Sequence, residues 1–246
     1  MKKRVRNLCV ILLVLSMLFA LAGCGSAGSS NNGEDKDQNT SVGASQNADA
    51  GTVAESTEQP EVQPSDTGTG DSNTLVVYFS RTGEQYTVGV IDEGNTAIVA
   101  KMIADQTGAD LFEVLPVDDY YPMTYDELTE VAKQEQNDNA RPAYAGEVPD
   151  LSQYDTIFIG APVWWGDWPM IMYTFFENNA DALAGKTLIP FSTHEGSGLS
   201  GFDTKLSSAC PDSTVLDGLA IRGNDAQNAQ DDVRAEVEDW ISGLGL

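Results

Sequence analysis

Hydrophobic and polar positions divide the chain into three regions. Residues 8–22 form a nearly unbroken apolar stretch of 15, residues 25–73 hold almost nothing large and apolar, and from Thr74 onward short apolar runs alternate with amphipathic segments. Residues 74–80, 111–115, 156–160, 186–192 and 215–221 read as strands, most of them apolar on both faces as in a parallel sheet covered by helices. Between them, residues 95–107 place Ile98, Val99, Met102 and Ile103 on one helical face, with Asn95 or Thr96 able to cap the start and Gly108 to stop the end. Residues 125–134 predict a polar helix, and residues 226–242 a closing amphipathic one. A further helix begins at Asp167-Trp168-Pro169, with Asp as cap and Pro in the first turn, and its apolar residues continue to Phe176. Two positions sit awkwardly. Pro190 lies within the fourth strand, so it marks either a strand end or a bulge, and Gly218 interrupts the fifth.

Five strands with intervening helices predict an α/β fold, a doubly wound parallel sheet with helices on both faces. Residues 74–246 number 173, enough for one domain with a sizeable core. The two preceding regions have a different character. Lys2, Lys3, Arg4 and Arg6 stand ahead of the apolar stretch, which is too short to span a membrane comfortably and matches a secretory signal peptide. It ends in Leu21-Ala22-Gly23-Cys24, which resembles the bacterial lipobox, in which the Cys is acylated and becomes the first mature residue. Without an Arg-Arg pair, the general secretory route is expected. The organisation is therefore residues 1–23 as lipoprotein signal, 24–73 as lipidated Cys24 and disordered tether, and 74–246 as the folded domain. The 49 tether residues reach roughly 35–40 Å as a flexible coil. This predicts an extracytoplasmic protein held at the bacterial cell membrane by lipid, and a cofactor acquired after export.

Charge narrows the chemistry. The chain carries 38 Asp+Glu against 13 Lys+Arg, a net charge of −25, which excludes nucleic acid as a partner. Metal centres lack ligands, with one His and, once Cys9 leaves with the signal and Cys24 carries lipid, a single thiol, Cys210. That thiol reads as a small buried core residue.

In a doubly wound sheet the ligand lies at the carboxyl ends of the strands, so the loops after strands one, three and four carry the candidate chemistry. After strand one, Ser80-Arg81-Thr82-Gly83 and the helix opening at Asn95-Thr96 offer hydroxyls and a helix N-terminus. These can hold a phosphate without a basic cluster, although Ser-x-Thr-Gly also fits an ordinary strand-to-helix turn. After strand three, residues 161–168 hold Trp164, Trp165 and Trp168, three of the chain's four Trp, which either fill a core or make a stacking platform. After strand four, Thr193-His194-Glu195-Gly196-Ser197-Gly198 is a glycine-rich turn whose backbone can approach a ligand. Phosphate end, aromatic slab and backbone donors together describe a flavin mononucleotide, FMN.

Val77-Tyr78-Phe79-Ser80-Arg81-Thr82-Gly83, Gly94-Asn95-Thr96, Gly160-Ala161-Pro162-Val163-Trp164-Trp165-Gly166 and Pro190-Phe191-Ser192-Thr193-His194-Glu195-Gly196-Ser197-Gly198 resemble the flavodoxin family across essentially all of 74–246. The resemblance implies strand order 2-1-3-4-5, non-covalent FMN and electron transfer. It assigns Ser80, Arg81, Thr82, Gly83, Asn95 and Thr96 to the phosphate. Pro162, Val163, Trp164, Trp165 and Gly166 fall to one side of the flavin, and Thr193, His194, Glu195, Gly196 and Gly198 to the other. The chain departs from the family where residues 84–94 split the Thr-Gly-Asn-Thr run and bring Glu84, Asp92 and Glu93 near the phosphate; this insert reads as a loop folding over the cofactor, with Tyr86 contributing.

The expected function is a low-potential electron carrier, because residues 74–246 carry 8 Lys+Arg against 29 Asp+Glu and resist further negative charge. Its redox partner is a protein or a quinone. The competing readings are an NAD(P)H-dependent quinone or flavin reductase, with His194 as candidate proton donor, and a lipoprotein that binds another ligand or a partner without flavin. No Gly-x-Gly-x-x-Gly fingerprint is present, which favours the carrier. A phospho-acceptor domain of the same topology needs acidic residues where strand one ends in Tyr78-Phe79-Ser80.

Overall fold

The computed structural model describes residues 73–118 and 120–246; the expected signal, Cys24 and the tether up to residue 72 lie outside the described residues. Strand β1 (Thr74–Tyr78) leads into a hairpin of β2 (Gly83–Gln85) and β3 (Gly89–Ile91), then α1 (Asn95–Thr107), β4 (Asp110–Glu113), β5 (Leu115–Pro116), α2 (Tyr125–Asp138) and β6 (Tyr144–Ala145). A 3-10 turn (Leu151–Gln153) precedes β7 (Thr156–Pro162), α3 (Met170–Asn178), α4 (Ala180–Leu183) and β8 (Thr187–His194). The chain closes with α5 (Phe202–Ala209), β9 (Thr214–Val215), β10 (Leu219–Arg222), α6 (Gly223–Asn228) and α7 (Gln230–Leu244).

The main sheet runs β4-β1-β7-β8-β10, every pair parallel, with β9 also lying on β8. With β9 and β10 as one interrupted strand, this is the expected order 2-1-3-4-5. Pro190 and Gly218 turn out to be a single feature of that edge. Pro190 lies in the middle of β8, and a Cβ at Gly218 would come within 2.6 Å of its carbonyl oxygen and 2.9 Å of its ring. Carbonyl and imide nitrogen of one strand residue point the same way, so the missing N–H faces the gap between β9 and β10 and no ladder donor is lost.

The two-residue period of the strands splits the core into two layers. Leu75, Val77, Ile157 and Ile159 face α3 and α5, where they meet Ile171, Phe175 and Leu206; Val76, Phe158, Ile189 and Phe191 face the other way, onto α1 and α7. Cys210 belongs to the first layer, and burial pushes its thiol up to about 11. Among the described residues no helix is long and apolar enough to cross a membrane.

Three expected helix ends are corrected. Helix α1 has the expected span, but neither Asn95 nor Thr96 caps it: Gly94 is the N-cap, and the Ala97 amide donates to Ser80 Oγ from the loop after β1 at 3.0 Å. A Cβ at Gly94 would overlap that hydroxyl, so the sequence there accommodates a cap supplied from 17 residues away. Pro169 lies one position outside α3, because Asp167 does not cap that helix but turns to the Trp168 amide, the Tyr173 hydroxyl and Lys205. The closing helix is two helices, α6 and α7, broken at Ala229.

Candidate functional site

The loop after β1 holds two helices at once. Ser80 caps α1, and four residues on Glu84 Oε2 accepts the Tyr125 amide, the first of α2, at 2.9 Å. Between them Arg81 donates to the Pro122 and Glu84 carbonyls, so its guanidinium braces the segment ahead of α2 and leaves the phosphate side without a cation. The insert is the β2–β3 hairpin. Two of its three carboxylates are drawn off in different directions, Glu84 to α2 and Glu93 to Lys101 at 2.6 Å. The acidic insert thus places neither of these charges against the start of α1.

A cavity of about 400 Å³ opens at the carboxyl end of the sheet. It brings together, from the residues singled out by sequence, Asn95 at the start of α1, Pro162 ending β7 with Val163, Trp164 and Trp165 after it, and Thr193 and His194 ending β8 with Glu195 after them. The remaining candidates stand behind this lining or beside it. Thr96 is buried and its hydroxyl meets that of Thr193 at 2.7 Å, pinning α1 to β8. Gly83 packs against Met123, Thr82 is exposed and outside the lining, and Gly166 completes the Trp turn. Gly198 accepts from Ser192 Oγ, and the Gly196 amide donates to His194 Nδ1 at 2.8 Å. That bond places any ring proton of the neutral imidazole on Nε2. Burial pushes the His194 pKa below its ordinary value, against opposing effects from the Ala220 backbone and Glu195, so the ring is neutral at pH 7.

Sequence reasoning missed one wall. Tyr125, Leu128, Thr129 and Ala132 of α2 line the cavity beside Gln85 and Tyr86 of the hairpin, of which Tyr86 was expected from the insert. The spacing 125, 128, 129, 132 is itself a helical stripe, the signal that was available; nothing local said which element it faces. The partner is the Trp turn. Trp164 and Asp167 pair as an antiparallel bridge around Trp165 and Gly166, both at positive φ (51° and 72°). A bulky residue in that region costs on the order of 1–3 kcal/mol and persists only where its surroundings hold it. Helix α2 does so: Trp165 Nε1 donates to the Thr129 carbonyl at 2.9 Å, Gln136 donates to the Trp165 carbonyl, and Lys133 Nζ stands 4.9 Å from the ring centroid.

The three Trp residues divide between the two expected roles. Trp168 is core, stacked on Phe202 at 3.7 Å with its indole N–H on the Phe202 carbonyl. Trp164 is half-buried, set edge-on against Phe79 and Tyr121, and Trp165 is 54% exposed. Behind Trp164, the Tyr121 hydroxyl donates to Glu135, a buried carboxyl of α2 whose other oxygen has no partner and whose pKa burial raises.

This donor set fits FMN. Aromatic side chains wall an open slot for a planar ring, and the first amides of α1 with the hydroxyls around them suit a phosphate. Eight cations stand among the described residues, and each already has a partner. Arg141, Arg222 and Arg234 pair with Glu177, Glu195 and Asp105, Lys186 binds the Tyr154 carbonyl, and Lys205 binds Ser200 and Asp167; Lys101, Arg81 and Lys133 are placed as above.

The comparisons with known proteins agree with this geometry. A flavoprotein structure from Bacteroides uniformis is 31% identical, with a TM-score of 0.55 over 70% of this chain and 98% of its own. One from Bacteroides eggerthii is 28% identical, with a TM-score of 0.57 over 71% and 99%. A Lactobacillus acidophilus flavoprotein in complex with FMN is 20% identical, with a TM-score of 0.50 over 65% and 97%, a likeness of fold. No curated protein matches the chain. The family model for flavodoxin matches residues 73–241, and the chain belongs to the flavodoxin family.

Proposed function

We propose that this protein binds FMN non-covalently and transfers electrons through it at the outer face of a bacterial membrane, to which lipidated Cys24 anchors it. The observation that carries the reading is the cavity at the carboxyl end of the sheet, where Trp164 and Trp165 meet Thr193, His194 and Glu195 beside the N-terminus of α1. When bound, FMN supplies reversible electron transfer. The chain's own residues do the rest. The amides of Asn95 and Thr96, helped by the dipole of α1, hold the phosphate dianion that no free Lys or Arg is placed to hold. Trp164 and Trp165 exclude water from the ring, with α2 fixing the strained turn that presents them. His194, anchored through Nδ1 by the Gly196 amide, serves as an orienting group that keeps its ring proton on Nε2 as a hydrogen-bond donor.

Charge supports a carrier over a pyridine-nucleotide reductase. NAD(P)H brings two or three phosphate groups, and every cation of the domain is already engaged in a surface of 8 Lys+Arg against 29 Asp+Glu. The same excess disfavours negative charge arriving on reduction and holds the potential low. The test is an FMN titration of the purified full chain, read by visible absorbance. One flavin per chain at micromolar concentration is expected; no bound flavin overturns the reading. A midpoint potential at or above that of free FMN removes the charge argument, and NADH or NADPH oxidation at enzymatic rates revives the reductase. Cys24→Ala is expected to move the protein from the detergent phase to the aqueous phase in a phase-separation assay.

A further inference from the structure

Among the described residues Glu135 is the only carboxylate or cation that is buried, with 4% of its surface exposed. It lies on the face of α2 that carries Leu128 and Ala132, both part of the cavity lining. Its Oε2 accepts from the Tyr121 hydroxyl at 3.3 Å, the Tyr120 hydroxyl also donates to the carboxyl, and Oε1 is buried without a partner. Tyr121 stands edge-on to Trp164, ring centroids 5.0 Å apart, so the cluster backs onto the cavity wall. On its other side Tyr121 meets Tyr120 at 4.9 Å, and Tyr120 is 49% exposed, which connects the cluster to solvent.

The two phenols are the polar groups that face Glu135. Charged residues of the neighbouring elements are turned to other partners: Lys133 of α2 to Gln136 and the Trp165 ring, Asp138 to Gln134, Asp167 of the Trp turn to Lys205, and Arg141 to Glu177 of α3. A buried carboxyl with no cation beside it holds its proton more firmly than an exposed one, while the phenols favour its ionised form. Gln in its place would still accept from Tyr121 without carrying an ionisable group into the interior, so holding the aromatic wall does not by itself call for an acid. What the acid adds is a proton that answers to nearby charge, and burial leaves little water to screen that charge.

We propose that Glu135 is a proton store linked to the redox state of the cavity. When reduction brings negative charge onto FMN beyond Trp164, the Glu135 carboxylate takes up one proton from solvent and becomes the acid; reoxidation returns that proton. Only an O–H bond forms and breaks, and the electrons come from the low-potential donor that reduces the flavin. The inference rests on the FMN reading, and Glu135 acts in it by its charge, without touching the ligand.

The test is the midpoint potential of the FMN-loaded full chain, parent and Glu135→Gln, measured from about pH 5 to about pH 9. At low pH the parent carries the acid in both redox states, so the two potentials are expected to run together. As pH rises the carboxylate opposes reduction, and the parent is expected to fall progressively below the variant. A purely structural role would displace the two curves equally at every pH, so parallel curves overturn the proposal. The ¹³C resonance of the Glu135 carboxyl, assigned by its loss in the variant, reads the proton directly. In the loaded chain its titration midpoint is expected to rise by about one pH unit on full reduction with dithionite, the size expected of charges roughly 10 Å apart at an effective dielectric constant of about 20. An unchanged midpoint also overturns the proposal. Flavin absorbance and the thermal midpoint report that Glu135→Gln is loaded and folded. A parent chain that takes up no flavin fails the FMN reading and the proposal with it, whereas bound flavin with parallel curves fails the proposal alone.

Discussion

Trp165 and Trp168 stand three residues apart in one turn and belong to different parts of the molecule's physics. Trp168 is 1% exposed and stacked on Phe202 in the layer between the sheet, α3 and α5. Trp165 is 54% exposed at positive φ, and its position depends on bonds from α2, an element 29 to 36 residues earlier in the chain. The first ring stabilises the fold by area removed from water. The second is held in a costly conformation at the mouth of the cavity.

The comparison breaks most visibly at Trp168. Truncation to Ala in a packed layer is expected to cost about 3–5 kcal/mol, seen as a fall of roughly 10 °C or more in the thermal midpoint. A loss below about 1 kcal/mol would show that this ring is not core. Trp165→Ala is expected to reverse the pattern. FMN affinity falls roughly 10- to 100-fold, the equivalent of about 1.4–2.8 kcal/mol, while the flavin-free midpoint moves by only a degree or two. A large drop in stability with affinity intact would return Trp165 to the structural class.

Ser80 stands on both sides of the comparison, since its hydroxyl caps α1 beside the proposed phosphate site. Ser80→Ala is expected to cost about 1 kcal/mol of stability and to weaken FMN as well; Ser80→Thr restores the stability if the cap is the cause. The smallest effect lies at Glu135, behind Trp164. Burial raises its folded pKa above the ordinary 4.5, so the folded state binds more protons than the unfolded one. Its contribution is fully present below about pH 4.5 and is lost as pH rises from there through the folded pKa. Glu135→Gln keeps an acceptor for Tyr121 and is therefore expected to match the parent at pH 4 and exceed it at pH 7, by on the order of 1 kcal/mol. Denaturant midpoints at the two pH values read this directly, and parallel curves would deny the carboxyl its raised pKa.

Much of the fold was legible because its determinants are local. The apolar face of residues 95–107 placed α1 at both ends, and the alternation of runs and stripes implied the parallel sheet. The loops after β7 and β8 were legible as well, because the site in such a sheet lies where the strands end, and Trp164, Trp165, Thr193 and His194 do meet there. What stayed hidden was any decision made between distant segments. Asn95 and Thr96 looked like caps until Ser80 supplied one from the neighbouring loop, and Arg81 looked like a phosphate ligand until the Pro122 carbonyl took it.

The sequence by itself determined the strands of the main sheet and helices α1, α2, α3 and α7, that the sheet is parallel, and that the loops after β7 and β8 line its carboxyl end; the β2–β3 hairpin and α5 it did not show. Tertiary structure alone decided that α2 forms a wall of the cavity, that Pro190 and Gly218 are one accommodation, and which tryptophan is core. The physical reason is the range of the forces involved. Periodicity and capping act over one turn or two residues and are written in adjacent letters. A wall, a brace or a borrowed cap exists only after the sheet brings together groups that the chain holds tens of residues apart.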